Sequence, residues 1–229
     1  MPATRLGSGA RGISASVAVV EPDLREAFAE AVSVATDLVL RPEVAAHWGS
    51  ESACADMSVG ALARHLVSQW FNAVRLLRAP AGEAPITARE HYERAAWVSA
   101  GHEDEANADI RRGSEEYAAE GPESMRRLVE ALAPDLEEVL ASARTGPVLV
   151  PWQGWSLSEH DFLLTRSMEI VVHSDDLAAS VDLPTPEFPA SVVFPVLHLL
   201  TDVAVRRHGQ VALVRALSRP QRAASISAF

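Results

Sequence analysis

No lysine occurs in the 229 residues; all 20 basic side chains are arginine. That excludes a Schiff-base lysine and the lysine of a phosphate-binding P-loop. The one cysteine, Cys54, allows neither an intramolecular disulfide nor a Cys-x-x-Cys redox pair. Aromatic residues are 6% of the chain, and no apolar run approaches the roughly 18 residues that suggest a membrane span. The formal charge is −11 and no stretch concentrates cations, which argues against nucleic acid as a partner. A Gly-x-Ser-x-Gly elbow and a dinucleotide fingerprint are also missing. A cytoplasmic protein with neither membrane nor nucleic-acid partner is expected.

What is present is a helical pattern. The first 16 residues are small, polar and Gly/Ser-rich, without an apolar signal core, and read as a disordered leader. After Pro22-Asp23, Leu24, Phe28, Val32, Ala35 and Leu38 recur at helical spacing until Pro42 interrupts them. A second helix follows Asp56 or Ser58 and runs to about Arg78, with Val59, Leu62, Leu66, Trp70, Val74 and Leu77 as its stripe. Thr87 with Glu90 has the spacing of a capping box, as does Ser156 with Glu159. Between them the chain is charged and helix-prone to Arg144, with breaks expected near Gly101 and at "EGPE", where Pro122 suits a first helical turn. "TGPVLVPWQGW" is the one extended stretch. A long helix then reaches Ser180, another covers about 190–208, and a short one follows Gly209; the last ten residues read as loosely ordered. The expected fold is all-α: a four-helix bundle over 17–181 with a short helical extension, 182–229, packed on it.

The helix ending at Ser180 contains "TRSMEIVVHSDDLAAS". At about 100° per residue, Thr165, Arg166, Glu169, His173 and Asp176 share one arc of about 100°, bordered by apolar residues on both sides. An amphipathic helix with a solvated face has this pattern. So does a polar seam turned inward, in which Glu169 and His173, at i and i+4, reach a shared ion. Carboxylate and imidazole suit a borderline divalent metal such as zinc. On the second helix, His65 lies at the edge of the apolar stripe, on a side shared with Gln69 and Asn72; it is either a third ligand or a hydrogen-bonded histidine at the core edge. Gln69 and Asn72 are candidate pocket-lining residues.

"MSVGALARHLV" and "RSMEIVVHSDDLA" resemble two motifs of the DinB-like superfamily, specifically the mycothiol-dependent maleylpyruvate isomerase family. The first resembles that family's histidine-bearing helix, the second its Arg-x-x-Glu-x-x-x-His-x-x-Asp-Leu pattern. The resemblance implies His65, Glu169 and His173 as ligands of a divalent ion, usually zinc, with nickel or another divalent ion as alternatives, and mycothiol as thiol cosubstrate. Three-histidine members of the superfamily exist, so Glu169 places the chain nearer the isomerase branch. The characterised isomerases carry a C-terminal α/β domain, whereas 182–229 reads as helices here, so the identity of the substrate is not carried over.

Asp176 is a candidate partner for the His173 ring or a helix-end carboxylate. Arg166, one turn before Glu169, would hold that carboxylate, bind an anionic substrate, or form a plain salt bridge. Cys54, with no histidine near it in sequence, reads as structural or incidental, so a thiol reaction would import its sulfur. His91, His160, His198 and His208 sit among surface-type residues and read as solvated; His102 begins "HEDEA", where Ala106 breaks a zincin motif. The leading functional expectation is a metal- and thiol-dependent enzyme acting on a small electrophile. Its rivals are a hydrolase using metal-activated water and a non-catalytic bundle that binds a ligand or partner.

Overall fold

The computed structural model describes residues 23–95, 98, 105–142 and 145–229. The expected leader, the break near Gly101 and His102 lie outside them. The elements are α1 (Leu24–Val39), α2 (Pro42–Ala46), α3 (Val59–Arg78), β1 (Pro85–Ile86), α4 (Ala88–Arg94), α5 (Glu105–Ala118), α6 (Pro122–Ala141), β2 (Val148–Val150), β3 (Trp155–Leu157), α7 (Glu159–Ser180), α8 (Ala190–His208) and α9 (Gln210–Ser218). The fold is all-α. Helices α1, α7, α3 and α6 pack as neighbours around one core, α5 lies against α3, and α8 lies against α7 and α1.

Local chemistry sets most helix starts. Asp23 caps α1 by accepting from the Arg25 N–H, and Ser58 caps α3 by accepting from the Ala61 N–H. Thr87 and Glu90 form the full capping box of α4, and Pro122 opens α6. The pattern expected of Ser156 and Glu159 is displaced by two residues. Ser156 is buried in β3, paired with Leu149 and Pro85, and the cap of α7 is Ser158, which accepts from the Asp161 N–H at 3.0 Å. Glu159 instead receives the Arg25 guanidinium, whose other nitrogen reaches the carbonyls of Leu140 and Ser142. One side chain thus ties the start of α1 and the end of α6 to the start of α7.

The extended stretch forms part of a small sheet of order β1-β3-β2, with β1 parallel and β2 antiparallel to β3. Ile86 pairs with Leu157, and helices α4 and α7 each begin two residues later. The sheet therefore launches both helices side by side, which brings α4 against the arc of α7 that carries Arg166 and Glu169.

Gly60, in the first turn of α3, lies beneath the Trp48 ring, and a Cβ there would stand 2.5 Å from Cε2 and 2.6 Å from Nε1. Trp48 donates that Nε1–H to the Ala118 carbonyl at 2.8 Å, joining the loop before α3 to the end of α5. Gly60→Ala displaces the ring and this bond. The clash outweighs the better helix propensity of alanine, and a loss of about 2 kcal/mol is expected in urea unfolding.

The last residues do not hang free. The Phe229 ring lies 5.6 Å from that of Tyr92, and the Ser227 carbonyl meets His208 Nε2 at 2.7 Å. Sparse periodicity in this segment hid that attachment. Among the described residues, no helix is long and apolar enough to cross a membrane.

Candidate metal centre

Helix α7 is buried on most of its circumference, because α1, α3, α4 and α8 all pack on it. Its polar arc is therefore not a wet face. Arg166 is 9% exposed, and the Glu169 and His173 side chains are 13% and 20% exposed. Across from them α3 presents His65, whose ring stands edge-on to His173 with centroids 4.7 Å apart. One ligand atom each from His65, Glu169 and His173 lies within 4.8 Å of the other two. His173 Nε2 is 3.2 Å from Glu169 Oε2. Two imidazoles and a carboxylate at such separations fit a divalent ion of the zinc type, which uses those donors.

The surroundings hold these groups in place. His173 Nδ1 lies 3.0 Å from Asp176 Oδ2, so an Nδ1–H donated there turns Nε2 toward Glu169 as the ligand atom once its proton has left. Gln69, 2% exposed, donates its amide to the His65 carbonyl at 3.0 Å and accepts from Arg166 at 2.6 Å. It links the two helices through their polar residues. Asn72 lies two turns beyond His65 and accepts from Arg75 at the surface.

Burial and the cluster's own charges set the ionisation. Burial, with the charges of His173 and Arg166, lowers the His65 pKa to about 3 against the opposing pull of Glu169. Burial pushes Glu169 up, but the bond to His173 and the nearby cations outweigh it and bring the carboxyl down to about 2. Burial would lower His173, yet its bonds to Asp176, Cys54 and Glu169 raise it well above the ordinary range. Neutral His65 and ionised Glu169 are already in the protonation states a metal requires.

Two further residues stand close by against expectation. His91, expected at the surface, is 2% exposed, and its Nδ1 accepts from Trp155 Nε1 at 3.1 Å. Burial, then the Arg166 charge, takes its pKa to about 4. Ala88, His91, Tyr92 and Ala95 are buried at i, i+3, i+4 and i+7, a stripe visible in the sequence but masked by flanking arginines and glutamates. Cys54 is the second. Its thiol donates to Asp176 Oδ2 at 3.4 Å, placing the one sulfhydryl beside His173. No sequence signal marked that contact, because the loop and helix concerned are 122 residues apart.

A search of curated proteins and of solved structures finds no match. The family model described as the mycothiol maleylpyruvate isomerase N-terminal domain matches residues 28–178, from α1 almost to the end of α7. That span is more than half of the chain and contains both helices of the polar cluster, so the chain belongs to the mycothiol maleylpyruvate isomerase N-terminal domain family.

Proposed function

We propose that the chain is a metal-dependent enzyme that uses a low-molecular-weight thiol, mycothiol, on a small electrophile by addition, transfer or isomerisation. The observation that carries this reading is the convergence of His65, Glu169 and His173 from two helices into one half-buried polar cluster. These three residues would hold a divalent ion, zinc first among the candidates. When bound, the ion supplies a Lewis acid that favours the thiolate form of an incoming thiol.

The chain's own residues do the rest. Asp176 fixes the His173 ring through Nδ1. Gln69 fixes Arg166, whose guanidinium offers positive charge to a carbonyl oxygen or carboxylate of the electrophile. The burial of Arg166 strengthens that attraction by excluding water. A reducing cytoplasm would suit both the imported thiol and a chain with a single cysteine.

The test is turnover of a panel of small electrophiles by zinc-loaded protein, with and without mycothiol. Thiol-dependent turnover that is lost in Arg166→Met is expected. Turnover unchanged after complete removal of small thiols would overturn the thiol half of the reading.

A further inference from the structure

The far side of His173 carries a second set of donors. Cys54 Sγ, His173 Nδ1 and Asp176 Oδ2 also lie within 4.8 Å of one another. Asp176 Oδ2 is 3.4 Å from the sulfur and 3.0 Å from the nitrogen. The edges of a tetrahedral zinc site with these donor types are about 3.3–3.6 Å, so the two edges that meet at Asp176 Oδ2 are already close to coordinating length.

The loop around Cys54 is fastened in that position. Ser52 Oγ donates to the Cys54 carbonyl at 3.0 Å and accepts from the Cys54 N–H at 3.2 Å. Asp56 takes a positive φ of 60°, and the Met57 N–H returns to the Cys54 carbonyl. Ser180 accepts from the Ala53 N–H at 2.8 Å and donates to the Asp176 carbonyl at 2.6 Å. The same residue that anchors the loop therefore bonds the backbone of Asp176. This stitching holds a soft sulfur donor over a carboxylate and an imidazole.

We propose that Cys54, His173 Nδ1 and Asp176 form a second metal position, selective for a thiophilic divalent cation such as zinc, cobalt or cadmium. The ion replaces the two protons that Sγ and Nδ1 direct at Asp176 Oδ2, and both are released to solvent. Thiolate softness sets the preference over magnesium or calcium. The inference shares His173 with the cluster of His65 and Glu169 and is tested apart from it through Cys54.

The experiment is a cobalt(II) titration of chelator-stripped full chain, without oxygen and with a phosphine reductant. The expected result is a near-ultraviolet thiolate-to-cobalt band in the parent that is lost in Cys54→Ser and kept in His65→Ala. No such band at saturating cobalt, or a band undiminished in Cys54→Ser, overturns the proposal. A second measurement needs no variant, because the chain has one cysteine. Zinc should slow alkylation of Cys54 by iodoacetamide about tenfold or more, in the parent and in His65→Ala alike. Equal rates with and without zinc would overturn it as well. If His65→Ala and Glu169→Ala bind as much cobalt as the parent while the thiolate band persists, the triad reading falls and the Cys54 site stands.

Discussion

His65→Ala and Glu169→Ala are each expected to weaken zinc binding by about a hundredfold or more, measured by competition with a chromogenic chelator. Each change removes one of three protein ligands, and the two that remain hold an ion poorly. Glu169→Ala also leaves the buried Arg166 without the carboxylate that compensates its charge, so it should cost stability even in metal-free protein. His65→Ala separates the effects, since His65 is neutral at pH 7 with a pKa of about 3. A second readout follows from linkage: zinc at about 100 times its dissociation constant stabilises the parent by about 2.7 kcal/mol. In a Cys54→Ser background, which removes the second position, that increment should vanish in His65→Ala. Zinc content and thermal shift equal to the parent's in both variants would rule out the triad.

The sequence carried the long helices because their signals are local. Asp23, Ser58, Thr87 and Pro122 mark starts by hydrogen bonds or ring geometry within a few residues. The three proposed ligands were legible for a similar reason. Glu169 and His173 share a face by spacing alone, and His65 sits at the edge of a clear apolar stripe. Which side of the polar arc meets water was not legible. That depends on α4, which is brought to α7 through the pairing of Ile86 with Leu157. The same pairing explains His91: Arg89, Glu90, Glu93 and Arg94 occupy the outer side of a short helix whose inner side is buried. Cys54 escaped because its partner is set by a loop fastened to Ser180, a contact with no periodicity. Ser156 misled because two serines stand two residues apart, and strand pairing selected Ser158 as the cap.

His91 is expected to make the fold sensitive to mild acid. Its Nδ1 faces the Trp155 indole N–H, so protonation there sets one donor against another within a buried contact. In the folded chain the pKa is about 4, against an ordinary value of 6.5, with burial the leading cause and the Arg166 charge second. Below pH 6.5 the unfolded chain takes up a proton that the folded chain refuses until about pH 4. Stability from this group is therefore complete above pH 6.5 and declines as the pH falls toward 4. The decline is worth about 3 kcal/mol, at 1.36 kcal/mol per pKa unit. His91→Asn keeps an acceptor near the Nδ1 position and does not titrate. Urea unfolding of metal-free protein at several pH values should show the parent losing stability relative to His91→Asn between pH 6.5 and 4. A difference that stays constant across that window would mean that His91 is not the group responsible. Carboxylates that titrate in both proteins cancel in the comparison, so its pH dependence reports the buried imidazole beside the polar cluster.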